Sequence, residues 1–291
     1  MKPPPLLLYR DLVTRALAED LEHGDVTTAS TVDTEAPGAA TIVAKEETVI
    51  AGLFVAQETF RQLDPDIRFS QTADEGAVMH PGATLLRMEG RLASILHGER
   101  VALNFLQRLC GIATLARQFV AAVAGFPVRI VDTRKTTPGL RLLQKYAVRV
   151  GGAHNHRFSL ADGVLIKDNH IAACGSIATA MARAQRAVPH AMRIQIEVRT
   201  QAELREAIEA GADVLLLDNM DPDTLRAAVN LARELRPSIL LEASGGVTLA
   251  NVRAVAETGV DLISSGALTH SAPARDLSLR IEIDSRTTSG N

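Results

Sequence analysis

The sequence predicts a two-domain α/β fold, in which an α+β N-terminal domain precedes a parallel α/β barrel. Short strand-like runs alternate with helical stretches throughout the second half of the chain. Nearly every one of these runs ends in polar residues suited to ligand chemistry, and in a βα barrel the carboxyl ends of the strands share one mouth. A long helix-like segment at 92–124 separates the two halves.

The N-terminal half is predicted to mix helices with short strands. Apolar residues from Leu6 to about Asp20 recur at helical spacing, and the polar stretch Glu22–Asp33 then predicts a loop. Short apolar runs bounded by Gly and Pro predict strands, and longer periodic runs predict helices. The predicted elements that follow are Ala40–Ala44, Phe54–Leu63, Thr84–Met88 and one or two helices across Leu92–Ala124.

The C-terminal half is predicted to form a parallel sheet, and the chemistry at its strand ends favours a barrel. An open doubly wound sheet stays possible, although no GxGxxG follows the first strand. We expect domains at 1–112 and 113–274, with the alternative that 275–291 packs back onto the first. The predicted strands are Val128–Val131, Gly163–Ile166, Arg193–Val198, Val214–Leu217, Ile239–Leu241 and Leu262–Ser264.

Composition excludes several classes of protein. With 46% hydrophobic residues in 291, the chain can bury a sizeable core. The 31 basic and 34 acidic residues nearly balance, so any anion binding must be local, and nucleic acid is not an expected partner. Aromatic residues make up only 3%, which disfavours a base-stacking surface. Cys110 and Cys174 lie far apart without a zinc or disulfide pattern.

No targeting or membrane signal is visible in the sequence. Met1–Leu8 has three prolines and three leucines, which falls short of the apolar core of a signal peptide. No apolar run is long enough to span a bilayer. We therefore expect a cytoplasmic protein with no membrane partner.

The motif Asp132–Gly139 (DTRKTTPG) places two adjacent cations just beyond a predicted strand. Arg134 can clamp a planar carboxylate through two hydrogen bonds, and Lys135 supplies a point charge for phosphate. A lone Arg-Lys pair beside a Pro-Gly turn is more often a solvated loop. Its position at a strand end favours anion binding.

A second cluster of cations follows, in Gly151–Arg157 (GGAHNHR) and at the end of the next strand in Lys167–His170 (KDNH). The His-x-His spacing permits a metal site, but no carboxylate or cysteine set accompanies it. Anion binding by His156, Arg157 and Lys167 is preferred. The alternative for single histidines is that they cap helices or satisfy buried carbonyls.

Two carboxylates, Glu197 and Asp218, end predicted strands in an otherwise cationic set. Acidic residues are useful there if the ligand brings Mg²⁺ or sugar hydroxyls, because carboxylates bind the hydrated metal or accept hydrogen bonds from the sugar. Taken alone, Asp218 is equally well explained as the N-cap of the following helix.

Two loops of small residues follow the last two predicted strands, at Ala243–Val247 and Ser264–Leu268. Backbone N–H groups can approach phosphate oxygens where no Cβ intervenes, and βα barrels often bind phosphate after their final strands. One such loop alone could be an ordinary tight turn. Two in succession predict a phosphate site.

Long runs of this sequence resemble the quinolinate phosphoribosyltransferase family, also called the carboxylating nicotinate-nucleotide pyrophosphorylases. The resemblance covers nearly the whole chain, including Gly24–Thr28 and Gly98–Asn104. It is carried by Asp132–Arg141 (DTRKTTPGLR), Gln144–Arg157 (QKYAVRVGGAHNHR), Leu165–Ile171 (LIKDNHI) and Ser244–Val247.

The resemblance implies an N-terminal sandwich-like domain, a C-terminal α/β barrel with fewer than eight regular strands, and a homodimer with shared active sites, or a higher oligomer. It implies that quinolinate contacts Arg134, His156, Arg157, Lys167 and Arg100 of the partner subunit. For phosphoribosyl pyrophosphate (PRPP) it implies contacts with Lys135, Lys167, Ser244, Gly245, Gly246, Ser265 and Gly266.

The implied reaction joins quinolinate to PRPP and releases nicotinate mononucleotide, pyrophosphate and CO₂, in NAD biosynthesis. Lys135, Glu197 and Asp218 are its expected catalytic residues. Mg²⁺ is the expected cofactor, near Glu197 and Asp218 either directly or through water. The alternatives are a molybdenum-transport-associated paralogue, a nicotinate phosphoribosyltransferase, and an anion-binding protein without turnover.

Overall fold

The computed structural model describes residues 1–282. The chain divides into two compact units. The first contains residues 1–117, 137–152 and the segment from 272 onward, and the second contains 118–136 and 153–271. The boundary between 1–112 and 113–274 stays a prediction. The predicted packing of 275–291 falls partly on 283–291, which lie outside the described residues.

The helices and strands follow the predicted order. No helix within residues 1–282 is both long enough and apolar enough to cross a bilayer. After a single 3-10 turn at Leu6–Leu8, the elements are α1 (Arg10–Leu21), α2 (Val26–Thr31), β1 (Pro37–Ala44), β2 (Thr48–Val49), α3 (Leu53–Leu63), β3 (Arg68–Thr72), β4 (Val78–Met79), β5 (Thr84–Arg91) and α4 (Leu92–Ala122). They continue with β6 (Arg129–Val131), α5 (Arg141–Val150), β7 (Val164–Ile166), α6 (Asp168–Cys174), α7 (Ile177–Ala187), β8 (Ile194–Val198), α8 (Gln201–Glu209), β9 (Val214–Asp218), α9 (Pro222–Leu235), β10 (Leu240–Ser244), α10 (Val252–Ala256), β11 (Leu262–Ser264), α11 (Ala267–His270) and β12 (Leu277–Glu282).

Within the described residues, the first unit contains an antiparallel four-stranded sheet in the order β12-β1-β5-β3. Ile42 and Leu86 on this sheet are fully buried and share one hydrophobic core with Phe60 of α3. Gly98 in α4 faces the same ring, since a Cβ there would lie 2.6 Å from a Phe60 ring carbon. The predicted α+β character is confirmed. Gly98 thus permits close packing inside one continuous helix.

The second unit contains a parallel six-stranded sheet among the described residues, in the order β6-β11-β10-β9-β8-β7. Its first strand in the chain, β6, pairs with its last, β11. This wrap-around order is that of a barrel, with β6 and β7 at the two edges and an isolated bridge from Val131 to His154. The predicted class of an α/β barrel with fewer than eight strands is confirmed, and all six predicted strands are present.

Two aspartates fix the amino ends of the parallel strands. Asp213 accepts a hydrogen bond from the backbone N–H of Ile194 at 2.8 Å, at the start of β8. Asp261 accepts one from the backbone N–H of Leu241 at 2.7 Å, and Arg233 of α9 donates to both of its oxygens at 2.8 Å. Each aspartate stands in a Gly-x-Asp sequence directly before an apolar strand.

The prediction of a loop across Glu22–Asp33 is wrong in part, because this stretch contains the short helix α2. Asp25 caps the helix, since its carboxylate accepts hydrogen bonds from the backbone N–H and the hydroxyl of Thr28. The stretch has too few apolar residues to display a helical period. Asp25, a residue type that often caps helices, was the feature of the sequence that could have predicted α2.

Candidate active site

A cavity of about 860 Å³ opens at the carboxyl ends of the parallel strands in the second unit. Its walls come from the segments after β6, β7, β9, β10 and β11, as expected where parallel strands end on one face. Most of the sequence-predicted site residues lie together in this wall. They are Arg134, Lys135, His156, Arg157, Lys167, Asp218, Ser244, Gly245, Gly246, Ser265 and Gly266.

Cationic side chains dominate one side of the cavity. Arg157 is partly buried and donates to the carbonyl of Gly163 at 3.0 Å. Burial, followed by the positive charge of nearby Arg134, lowers the pKa of Arg157. A carboxylate or phosphate close to both guanidinium groups would relieve this repulsion and favour their charged forms. This side of the cavity therefore suits an anionic ligand.

The two glycine loops follow the neighbouring strands β10 and β11. Gly245 has φ 91°, and a Cβ there would lie 2.2 Å from Oδ1 of Asn219. A Cβ on Gly266 would lie 2.9 Å from Cδ of Lys135. Glycine at these positions lets the backbone line the cavity directly, which is the arrangement that backbone N–H groups need to bind a phosphate.

Acidic residues close to the cavity-lining Lys167 are already paired with protein cations. Lys167 Nζ lies 3.3 Å from the buried carboxylate of Glu197. Arg199 Nη2 lies 3.0 Å from Glu197 and 3.1 Å from Asp168, and its Nε lies 3.5 Å from Asp218. The charge of Glu197, with lesser contributions from Asp168 and Asp218, raises the pKa of Arg199. One guanidinium group thus contacts three carboxylates.

A protein-built metal cage is absent from the described part of the chain. Residues 1–282 contain no group of three or more His, Cys, Asp or Glu side chains placed to hold a metal ion. Glu197 and Asp218 are two carboxylates that both pair with Arg199. Such a pair fits Mg²⁺ that enters with a phosphate ligand, because Mg²⁺ usually keeps its waters and takes one or two carboxylates plus substrate phosphates.

Asp132 fixes the loop that carries His156 and Arg157. Its buried carboxylate accepts a hydrogen bond from Asn155 Nδ2 at 2.6 Å and one from the backbone N–H of His156 at 2.8 Å. Its own backbone N–H donates to the carbonyl of His154 at 3.0 Å. Asp132 begins the motif Asp132–Gly139 in the sequence. In the structure its carboxylate orients the second motif, Gly151–Arg157.

Of the predicted site residues, Arg100 and Glu197 do not line this cavity, whereas His170 of the same sequence motif as Lys167 does. Arg100 lies on α4 in the first unit, where it lines a cavity of about 260 Å³ together with His97 and Asp25. Its action across subunits stays a prediction. His170 Nδ1 accepts a hydrogen bond from the backbone N–H of Lys167 at 2.9 Å and so caps α6. The helix-capping alternative is confirmed for this histidine.

Comparison with known proteins places this arrangement in a family. The family model for the quinolinate phosphoribosyl transferase N-terminal domain matches residues 25–110, and that for the C-terminal domain matches residues 112–280. This chain belongs to the quinolinate phosphoribosyltransferase family.

Relatives support the assignment over nearly the whole length of the chain. A probable carboxylating nicotinate-nucleotide pyrophosphorylase of Synechocystis is 47% identical over 96% of this chain and 94% of the relative. A protein of the same description from Bacillus subtilis is 44% identical, with 97% and 96% covered. The crystal structure of NadC from Streptococcus pyogenes is 37% identical, with a TM-score of 0.92 and coverage of 98% and 100%.

In this quinolinate phosphoribosyltransferase family member, sequence reasoning missed three polar residues at the site: Gln195, Arg199 and Glu242. Gln195 and Glu197 alternate along β8, so they point to the same face of the strand, and both are buried. A polar residue two positions before a predicted site residue was therefore an available signal. The same signal applied to Glu242, which stands two positions before the predicted site residue Ser244 on β10.

Proposed function

We propose that this protein transfers the phosphoribosyl group of PRPP to the ring nitrogen of quinolinate and removes the adjacent carboxylate as CO₂. The observation that supports this most is the pairing of two glycine loops with a wall of Arg134, Lys135, Arg157 and Lys167 in one cavity. Quinolinate is a dianion and PRPP carries several negative charges, so their joint binding needs such a concentration of cations.

Quinolinate is assigned to the cationic side. Arg134 and Arg157 clamp its carboxylates through charge-assisted hydrogen bonds, while His156 and Lys167 line the same subsite. Arg100 of the partner subunit completes this set in the proposed homodimer. PRPP is assigned to the other side, with phosphate groups on the backbone of the loops Ser244–Gly246 and Ser265–Gly266 and on Lys135.

The transfer step requires positive charge beside the leaving group and negative charge beside the sugar. The quinolinate nitrogen forms a bond to the ribose anomeric carbon as the bond from that carbon to pyrophosphate oxygen breaks. Lys135 stabilises the departing pyrophosphate, and Mg²⁺, when bound near Glu197 and Asp218, would supply further positive charge. Glu197 and Asp218 stabilise the cationic character that develops on the sugar.

Decarboxylation follows on the product of transfer. The ring nitrogen now carries a positive charge, so the adjacent carbon can retain the electron pair when its bond to the carboxylate breaks. CO₂ departs, that carbon takes up a proton, and nicotinate mononucleotide results. The chain needs no organic cofactor for this step, since the charged ring is the electron sink.

The reaction is tested with purified protein, quinolinate, PRPP and Mg²⁺, while nicotinate mononucleotide and CO₂ are measured together. We expect equal amounts of both products, and no turnover when nicotinate replaces quinolinate. Turnover of nicotinate in preference would favour the nicotinate phosphoribosyltransferase alternative. PRPP binding by calorimetry without any turnover would instead favour an anion-binding protein or the molybdenum-transport-associated paralogue.

Site sharing is tested by mixing two inactive variants, Arg100→Ala and Lys135→Ala. If Arg100 acts in the neighbouring subunit, mixed dimers contain one site with both defects and one site with neither, so part of the activity returns. Subunit exchange is verified by native mass spectrometry of differently labelled chains. Full exchange without recovery of activity would show that each subunit uses its own Arg100.

A further inference from the structure

A chain of hydrogen-bonded side chains runs from His156 through buried Gln195 to Glu242, and its two ends line the cavity. Gln195 and Glu242 are both buried, on β8 and β10. His156 Nε2 lies 3.2 Å from Oε1 of Gln195 and 3.4 Å from Oε2 of Glu242. Gln195 Nε2 donates to the same oxygen of Glu242 at 2.8 Å. On its other side, His156 Nδ1 lies 2.7 Å from the backbone nitrogen of Arg157.

The direction of every hydrogen bond in this chain can be assigned. The backbone N–H of Arg157 can only donate, so Nδ1 of His156 accepts and the ring proton lies on Nε2. Gln195 donates its amide hydrogen to Glu242, which leaves its Oε1 to accept from that ring proton. Each group therefore donates a hydrogen bond to the next: Arg157 to His156, His156 to Gln195, and Gln195 to the carboxylate of Glu242.

Glu242 is an unusual residue for this position, since a buried carboxylate is costly unless it is well bonded. Burial raises the pKa of Glu242, but its interactions with His156, followed by hydrogen bonds from Ser264 and Gln195, outweigh this effect and lower the pKa below the ordinary value. Burying the carboxylate of Glu242 costs free energy, and this residue lines the cavity. Its presence there indicates a role beyond packing.

We propose that Gln195 and Glu242 are positioning residues, which fix the tautomer and the ring orientation of His156 in the quinolinate subsite. The assignment of the subsite rests on the proposed function. The position of the ring in turn determines where the backbone of Arg157 lies, because that N–H is bonded to Nδ1. Neither residue needs to touch the reacting atoms.

The tautomer is tested directly by nitrogen-15 NMR of the unaltered protein labelled at histidine, with the His156 signals assigned from the His156→Asn variant. We expect a protonated Nε2 and an unprotonated, hydrogen-bonded Nδ1 at neutral pH. In Gln195→Met, which keeps the side-chain length without hydrogen bonds, the ring loses its contact at Nε2 and can turn away from the N–H of Arg157, so we expect mixed tautomers. A proton on Nδ1 in the unaltered protein would overturn the proposal. This measurement needs no substrate, so it does not depend on the proposed function.

The functional consequence is tested by steady-state kinetics on Gln195→Met and Glu242→Gln. Loss of one hydrogen bond to a charged group corresponds to about a tenfold to hundredfold change, which we expect in KM for quinolinate with little change in KM for PRPP. Thr258→Val is the matched control, because it removes another buried hydrogen bond of the second unit, from Thr258 to the carbonyl of Val255, outside the cavity wall.

Three outcomes separate the explanations. A selective rise in KM for quinolinate, with the control unchanged, supports positioning. Equal losses for both substrates in the folded variants, or an equal loss in Thr258→Val, would assign Gln195 and Glu242 to general stability and overturn it. If the unaltered protein turns over no quinolinate, the proposed function fails, and the NMR result alone then decides whether the chain fixes the His156 ring.

Discussion

The two ends of the parallel sheet use the same kind of residue in different ways. At the amino ends, Asp213 and Asp261 bind backbone N–H groups that begin neighbouring strands, and Arg233 occupies both oxygens of Asp261. At the carboxyl ends, the recorded partners of Glu197 and Asp218 within the described residues are all side chains, those of Lys167, Arg199 and Asn219. Backbone partners cannot leave without unfolding, whereas side chains can exchange one partner for a ligand.

Residues that stabilise the fold and residues that bind the substrates are therefore expected at opposite ends of the same parallel strands. Residues at the amino ends are expected to affect unfolding without affecting substrate binding. Residues at the carboxyl ends that line the cavity, or pair with those that do, are expected to do the opposite. Each of the following variants tests this separation, and any variant that changes both properties equally would weaken it.

The largest expected effect is the loss of activity in Arg157→Ala. The variant removes a partly buried cation that we assign to a substrate carboxylate, which corresponds to about 3 kcal/mol, or a hundredfold loss in kcat/KM for quinolinate. Thermal unfolding is expected to change little. Arg226→Ala, which removes an exposed arginine paired with Asp223, is the control and should retain full activity. An intact kcat/KM in Arg157→Ala would remove this residue from the quinolinate subsite.

The next effect is the loss of stability in Asp261→Ala at the opposite end. Leu241 loses the acceptor for its backbone N–H and Arg233 loses its partner, so we expect the free energy of unfolding in urea to fall by about 2 kcal/mol, discounted for partial exposure of the pair. Values of KM at a temperature well below the transition should be unchanged. A raised KM for either substrate would contradict the separation of the two ends.

A smaller effect is expected for Arg199→Ala, because Arg199 is exposed and its ion pairs are screened by water. Glu197 and Asp218 lose the guanidinium group that they share, which leaves more negative charge beside the proposed PRPP subsite. We expect KM for PRPP to rise and the Mg²⁺ concentration for half-maximal rate to fall. Arg199→Lys, which keeps the charge, should lie between the variant and the parent. An unchanged Mg²⁺ requirement would show that these carboxylates do not approach the metal.

The smallest effect concerns Asp221, a carboxylate that follows β9 but lies outside the cavity wall. Its hydrogen bonds from Thr224, backbone first and hydroxyl second, lower its pKa as the cap of α9. A lowered folded pKa adds stability above the unfolded value of about 3.9, and this stability is lost as the pH falls through the folded pKa. Asp221→Asn should therefore be less stable than the parent at pH 7, and the difference should shrink by pH 3 in urea unfolding. Its activity at pH 7 should be unchanged.

The sequence predicted the strands and the cavity residues because charged residues and glycines interrupt apolar runs where the parallel strands end. Arg134 and Lys135 are readable in this way, since both closely follow β6, and Arg157 is readable from the cluster of cations around it in the sequence. Arg199 also follows a strand, β8, directly, but its contacts and those of Glu242 depend on which strands become neighbours. Gln195 reaches Glu242 only because β8 and β10 lie on either side of β9, and Arg199 reaches Asp218 only because β8 adjoins β9. Strand order and register, which no local pattern encodes, determine these contacts.

The pairing of β12 with β1 has a consequence for synthesis of the chain. Leu277–Glu282 forms one edge of the sheet in the first unit, with Ala39 opposite Glu282 and Ala44 opposite Leu277. On the ribosome, β1 emerges more than two hundred residues before this partner, while all strands of the second unit are made in the interval. Until then one edge of β1 has unpaired backbone groups and is open to pairing with another nascent chain. Shielding of that edge by a chaperone, or slow completion of the sheet, would therefore govern the yield of folded protein.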